Sequence, residues 1–226
     1  MPCTFSFLKP IAKGVEIIFE IDSSILEKIS EYIPINKIPP SEPLFLKQVH
    51  GGIIHFLDDP EKTNFFRGAV GDGFITTIKN LPISIRTADC IPVFLCDKNS
   101  KFAALLHGSW RSIAVGIIEN AMAIIARKLN ILPNGIYCAM GPGILREDYE
   151  VGKKVVDKFP HSTIEKDNGK IFLDLPGEIA RRLISLGLHA DSIILPPVST
   201  FRESWLPSYR RDGSKSGRIK TIAWLE

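Results

Sequence analysis

The chain has no run of about 18 unbroken apolar residues, so no transmembrane helix is expected. Its start, Met-Pro-Cys-Thr-Phe-Ser-Phe-Leu-Lys, lacks the basic-then-apolar layout of a secretory signal. Cysteine is scarce: four residues, at 3, 90, 96 and 138, form no Cys-x-x-Cys pair and no small-protein disulfide frame. Several of them lie in apolar, strand-like runs, where a free thiol is commonly housed. Together these absences predict a cytoplasmic, reducing environment and no membrane partner. Repeats and low-complexity segments are missing too. The longest polar break, Asp58 to Asn64, has the character of a surface loop, so one domain over residues 1–226 is expected. Excess charge is small, at +3, and its densest basic stretch is Tyr209 to Arg218. Nucleic-acid binders concentrate more positive charge than this, so no nucleic-acid partner is expected. A small anionic substrate is enough to explain the cluster, and so is a solvated loop.

What is present is an ordinary globular composition, 45% hydrophobic and 23% charged over 226 residues. A chain of that length buries roughly 70% of the surface its unfolded form exposes. It needs no metal merely to fold, so a metal site would serve chemistry. Strand patterns fall at Val15–Ile21, Leu44–Val49, Ile53–Leu57, Gly73–Thr77, Ile83–Arg86, Ile91–Cys96, Phe102–Leu106, Gly135–Met140, Asp191–Leu195 and Arg218–Leu225. Helical signals are fewer. Ser24 with Glu27 reads as a capping box before Ile25, Leu26, Ile29 and Tyr32. Ser112 to Asn130 carries apolar residues near helical spacing; Val151 to Phe159 and Leu175 to Leu186 follow, the last stopping at Gly187. Strands and helices do not alternate as βαβ units, so an α+β layered fold is expected.

Three strand ends carry reactive side chains: Lys47-Gln48-Val49-His50-Gly51, Thr87-Ala88-Asp89-Cys90-Ile91-Pro92-Val93, and Leu105-Leu106-His107-Gly108-Ser109-Trp110-Arg111-Ser112. In the third, a strand passes through a turn into the best helix, a layout that presents backbone N–H groups to anions. Taken singly, a strand-end His is more often a hydrogen-bonded structural residue, and a Cys in an apolar run is more often core. The separations between His50, Cys90 and His107, of 40 and 17 residues, match no short zinc-finger spacing.

These segments, with Ser208-Tyr209-Arg210-Arg211-Asp212-Gly213, Gly141-Pro142-Gly143-Ile144, Tyr149-Glu150-Val151-Gly152 and Leu173-Asp174-Leu175, stand in the order seen in the YfiH family. That family is also called laccase-domain, polyphenol oxidoreductase or peptidoglycan editing factor proteins, and the resemblance covers about residues 42–226. It implies an α+β fold of layered mixed β-sheets flanked by helices, an α-β-β-α sandwich. It implies a zinc site falling on His50, Cys90 and His107, and activity on purine nucleosides: phosphorolysis of adenosine, inosine, guanosine and methylthioadenosine, and deamination of adenosine. Copper-dependent phenol oxidation is disfavoured on chemical grounds. A multicopper oxidase needs many imidazole ligands, and the chain has five histidines, of which His55, His161 and His189 lie outside the motifs. The chain departs from the family at Gly108, Ser109 and Ser112, where members usually have His-Ala-Gly-Trp-Arg-Gly, and Ser109 adds a hydroxyl beside the site. Ser199-Thr200 stands where many members have Cys-Thr, Leu206-Pro207 where members often have two Phe, and the N-terminal third lacks Arg-x-Gly-Gly-Val-Ser.

Three protein ligands leave zinc one open position, as in catalytic sites. Phosphorolysis also needs cations to hold phosphate against C1′. Arg111, and Arg210 with Arg211, are the candidates, and Gln48 and Tyr209 are candidate substrate contacts within the same motifs. Asp72 and Asp89 are candidates for orienting ligands or moving protons. Two other classes of function fit the same residues. One is a hydrolase or amidase with Cys90 as nucleophile and His107 as base. The other is a non-enzymatic interaction domain stabilised by metal, which would unfold when the metal is removed.

Overall fold

The computed structural model describes residues 3–5, 14–21, 39–165 and 169–226. The strands in chain order are β1 (Cys3–Phe5), β2 (Val15–Ile21), β3 (Ile54–Leu57), β4 (Gly73–Thr76), β5 (Ile83–Thr87), β6 (Ile91–Asp97) and β7 (Ala103–Gly108). They continue as β8 (Ile136–Met140), β9 (Glu150–Val151), β10 (Thr163–Glu165), β11 (Ile171–Leu173), β12 (Ile193–Ile194) and β13 (Ile219–Leu225). The helices are α1 (Trp110–Ala114), α2 (Ile117–Leu129), α3 (Lys153–Val156), α4 (Leu175–Ser185) and α5 (Tyr209–Asp212). No described helix is long and apolar enough to cross a membrane.

A six-stranded sheet, ordered β12-β8-β6-β7-β4-β3, is mixed: its β3–β4 and β12–β8 pairs are parallel and its inner pairs antiparallel. A four-stranded antiparallel sheet, β1-β2-β13-β5, packs on it, and β10-β11-β9 form a small third sheet. Alternation along each strand decides which side chain enters which layer. Phe74, Phe94, Ala103 and Leu105 join Phe19, Ile83, Ile85 and Ile219 in the core between the two large sheets. Their neighbours Ile75, Val93, Leu95, Ala104 and Leu106 face Ile117, Ile118, Ala121 and Ile125 of α2 and Ile179 and Leu183 of α4. Both faces of β6 and β7 are therefore buried, which is why those runs are apolar without a break. On the outer face of the four-stranded sheet, Ile18, Ile222 and Trp224 form a separate buried cluster.

The α+β layering read from the sequence is the layering observed. Several elements differ in extent. The expected strand Leu44–Val49 makes only two isolated parallel bridges, Leu44 to Ile83 and Lys47 to Val70. The expected helix Ser112–Asn130 is broken: Gly116 takes φ +86°, so α1 stops at Ala114 and α2 begins afresh at Ile117. Asn130, at φ +53°, then closes α2 in a left-handed cap. Of the expected helix Val151–Phe159 only α3 is helical, and Val151 belongs to β9. α4 runs as expected from the Asp174 cap to Gly187, whose φ of +102° ends it. The capping box at Ser24 and the amphipathic stretch after it lie outside the described residues.

Candidate metal centre

Strand register brings the reactive groups together. β7 lies between β6 and β4, with Pro92 opposite His107 on one side and Gly73 opposite Leu106 on the other. One step beyond that last pair, the His107 amide donates to the Asp72 carbonyl at 2.7 Å. Cys90 stands two residues before Pro92, so it shares the His107 face of the sheet. Cys90, His107 and Asp72 thus come from three adjacent strand ends at one end of the sheet. His50 arrives from the loop after the Lys47 bridge, with φ +60°.

The candidate ligand atoms of His50, Cys90 and His107 all lie within 4.8 Å of one another, and among the described residues this is the one group of its kind that could hold a metal. The two imidazoles meet edge to face, with centroids 4.8 Å apart. His107 is buried, Cys90 half-buried, and His50 the most exposed. Behind them Asp72 is fully buried, and its carboxylate accepts the His107 Nδ1–H at 2.8 Å. Burial disfavours the Cys90 thiolate, but the neighbouring imidazoles of His107 and His50 outweigh it and bring the thiol down to about 7. Burial likewise opposes charge on His107, but Asp72 and Cys90 reverse that and raise it to about 9. Asp72, despite its burial, is held below the usual carboxylate range by His107 and by the amides of Gly51 and Val49. Two further thiols, Cys96 and Cys138, are deeply buried in the sheet; burial pushes Cys96 up to about 12 and Cys138 higher still, so neither is a nucleophile at neutral pH.

A second carboxylate organises the other flank. Asp89, at φ +82°, accepts the Thr200 hydroxyl at 2.7 Å and the Arg210 amide at 2.6 Å, tying the Cys90 turn to α5. The Arg210 side chain donates to the Glu150 carbonyl at 2.9 Å and lies over the Tyr149 ring. Arg111 lies over Trp110, with its guanidinium carbon 4.5 Å from the ring centroid. Tyr149 is within electrostatic reach of Cys90, Arg210, Asp89 and Arg111; burial keeps its hydroxyl protonated well above the usual range. Tyr209 is exposed in the first turn of α5.

Two residues expected to touch substrate have other occupations. The guanidinium of Arg211 donates to the carbonyls of Thr200, Phe201, Glu203 and Leu206 and to both oxygens of Asp212. No N–H is left for a phosphate, and Arg211 braces the loop instead. Gln48 accepts from the Arg86 amide and donates to the Arg86 carbonyl, at 2.8 and 2.9 Å, which fastens the His50 loop to β5. The Ser109 hydroxyl, expected beside the site, is buried as the cap of α1, accepting from the Ser112 amide and pairing with its hydroxyl. Tyr149 is a further candidate that the sequence reading does not single out, although its Tyr-Glu-Val-Gly segment is one of the motifs; its separation in sequence from Cys90 hides their electrostatic coupling.

Gly143 sits under the Cys90 turn. A Cβ there would stand 3.0 Å from the Asp89 carbonyl oxygen and 3.3 Å from that of Cys90, besides striking Ile91. Gly143→Ala is expected to destabilise the fold by about 1–3 kcal/mol, the usual penalty of overpacking. A urea titration checks this; an unchanged midpoint would show that the turn yields freely.

Residues 22–226 match the family described as multi-copper polyphenol oxidoreductase laccase. A purine nucleoside phosphorylase of Aquifex aeolicus is 32% identical over 155 residues, 69% of this chain and 71% of that protein. A purine nucleoside phosphorylase of Mycobacterium tuberculosis is 28% identical over 193 residues, 84% of this chain and 74% of its own length. The crystal structure of YlmD from Geobacillus stearothermophilus superposes with a TM-score of 0.79 at 20% identity, covering 100% of both chains.

Proposed function

We propose that this chain, which belongs to the multi-copper polyphenol oxidoreductase laccase family, is a purine nucleoside phosphorylase built around one zinc ion held by His50, Cys90 and His107. The observation that carries this reading is the convergence of those three donors within 4.8 Å at a half-open strand end flanked by arginines. Relatives named purine nucleoside phosphorylase support the substrate class. Adenosine deamination and methylthioadenosine phosphorolysis are finer activities proposed for the same centre. Several copper ions, which the family description implies, do not fit the donor set. His55 directs its Nε2 at the Val70 carbonyl and packs on Phe66, so the neighbouring imidazoles number two. A single zinc with three protein ligands and an open position does fit, and when bound it supplies Lewis acidity there.

Phosphorolysis breaks the bond between C1′ and the purine nitrogen and forms one from C1′ to a phosphate oxygen. The phosphate must be held in line, and the departing base must receive a proton or hydrogen bond. Arg111 and Arg210 are the candidate cations for phosphate: among the described residues Arg111 has its ring stack, and Arg210 a single carbonyl partner. Tyr149, kept as a neutral phenol, is the candidate to donate a hydrogen bond to the departing base. Tyr209 offers an exposed aromatic face to the nucleoside. Arg210→Lys keeps the charge but loses the planar fork, so the phosphate KM is expected to rise roughly 10-fold. Arg211→Lys should leave that KM alone and lower the melting temperature. Initial rates of base release from inosine across a phosphate titration check both. An unchanged phosphate KM for Arg210→Lys would remove Arg210 from the mechanism.

A second reading is supported by one observation. Cys90, His107 and Asp72 also form a thiol, imidazole and carboxylate in series, the order of a cysteine hydrolase or amidase. Here the Cys90 thiolate would attack an acyl carbon, the C–N or C–O bond would break with His107 giving its proton to the leaving amine or alcohol, and water would then hydrolyse the thioester.

A further inference from the structure

A single buried carboxylate receives N–H groups from two separate candidate ligands. Oδ1 of Asp72 accepts the His107 Nδ1–H at 2.8 Å and the His50 amide at 2.9 Å. Oδ2 accepts the Gly51 amide at 2.7 Å and the Val49 amide at 3.2 Å. Three consecutive amides therefore converge on one anion across a turn whose middle residue, His50, has φ +60°. A left-handed conformation carries a steric cost for a non-glycine residue. The carboxylate supplies the charge-assisted bonds that offset this cost. On the other ligand, a proton shared between Nδ1 and Asp72 leaves the lone pair on Nε2, the nitrogen free to face Cys90 and His50. The residues on either side of Asp72 are glycines packed tightly against their neighbours. A Cβ on Gly71 would lie 2.9 Å from His55 Nε2, and one on Gly73 would lie 2.6 Å from Leu106.

We infer that Asp72 is the positioning residue of the metal centre, presetting two of its three ligands at once, His107 through its ring tautomer and His50 through its backbone turn. The inference rests on the metal reading above and assigns Asp72 no contact with substrate. Asn is the informative replacement because it keeps the shape. With its oxygen toward His107, its NH2 confronts the Val49 and Gly51 amides, and both of those N–H groups lose their acceptor. With the amide flipped, the NH2 faces Nδ1 and forces the proton onto Nε2, which removes the lone pair a metal needs. Neither orientation satisfies both ligands.

The test uses the full chain and zinc alone, with three readouts: affinity by competition with a chromophoric chelator, melting of the zinc-free chain, and nitrogen-15 NMR of the histidine rings. Wild type should bind one zinc, with the His107 proton on Nδ1 and the metal on Nε2. Asp72→Asn should stay folded and bind zinc about 10- to 100-fold more weakly, the range seen when such partners are lost. A merely structural Asp72 would lower the melting temperature and leave the zinc affinity of the folded chain unchanged. A folded Asp72→Asn chain within about twofold of wild type would overturn the inference; so would wild-type His107 binding zinc through Nδ1. If Asp72→Asn does not fold, the wild-type ring tautomer decides. If wild type takes up no zinc, the metal reading itself fails, an outcome distinct from wild type and Asp72→Asn binding it equally.

Discussion

The Cys90→Ser chain is expected to lose zinc affinity by more than about 100-fold and to lose purine release with it. Serine fits the space of cysteine, but its hydroxyl stays neutral at any pH of interest, whereas the Cys90 thiol sits at about 7 and becomes a thiolate ligand readily. The same experiment separates the two enzymatic readings. Under the metal reading, wild type shows no mass increase on incubation with substrate, and zinc content falls with activity in the variant. Under the nucleophile reading, intact-protein mass spectrometry traps a covalent adduct on wild type and none on Cys90→Ser, with zinc irrelevant to both. The pH dependence has a definite sign. Metal binding requires the thiolate and two neutral imidazoles, and in the metal-free chain the Asp72 contact and Cys90 hold the His107 proton up to about 9. Zinc must displace the Nε2 proton of that imidazolium, so apparent affinity rises as pH climbs toward 9 and falls steeply below 7. Affinity independent of pH across that window would contradict the assignment of Cys90 and His107 as ligands.

Glu178→Gln should lower global stability at neutral pH by about 3 kcal/mol, the largest loss expected away from the metal. Glu178 lies in the first turn of α4 with 3% of its side chain exposed. It accepts from the Ser162 hydroxyl at 2.6 Å, from Arg181 at 2.8 and 2.9 Å, and from Arg182 at 2.7 Å. Arg182 reaches on to the Ile113 carbonyl and to Glu119, so the network clamps α4 to α1 and α2 beneath β7. Arg181 is half exposed and contributes little, while the contacts of the half-buried Arg182 and the buried Ser162 dominate. Burial alone would raise this carboxyl, but the arginines and Ser162 overcome it and bring it down to about 2. A depressed carboxyl stabilises the fold above its unfolded value near 4.5 and loses that contribution as pH falls toward 2. Urea unfolding of wild type and Glu178→Gln should show a wide gap at pH 7 that narrows below pH 4.5. A gap of the same width at pH 2.5 would show that the charge is not what matters.

The three candidate donors were legible in the sequence because each sits in a short motif at a strand end, and the α+β class because strand and helix patterns do not alternate as βαβ units. The contacts that organise those ligands were not legible. Asp72 and His107 are 35 residues apart and meet only through the β4–β7 register, so the sequence could not tell an orienting carboxylate from a strand-end cap. Arg210 and Arg211 are adjacent and chemically identical, yet among the described residues the side chain of one has a single carbonyl partner while the other is fully engaged by loop carbonyls and Asp212; the path of residues 200–206 distinguishes them. The Leu44–Val49 stretch has strand composition, but its amides and carbonyls pair with separate neighbours, and the chain then turns at His50 to reach the anion of Asp72. The helix break at Gly116 follows from one left-handed glycine in an otherwise continuous apolar period. The strands β9, β10 and β11 are two or three residues long, too short to leave a period in the sequence.

The central claim is phosphorolysis at a His50–Cys90–His107 metal centre, and the most direct test is the product balance of one reaction. The zinc-loaded chain is given inosine with inorganic phosphate, and hypoxanthine, ribose 1-phosphate and free ribose are quantified together, before and after chelation. The account predicts hypoxanthine and ribose 1-phosphate in equal amounts, dependence on phosphate, and loss of both when zinc is stripped. Hypoxanthine released with free ribose, or at an undiminished rate from the stripped chain, would contradict it.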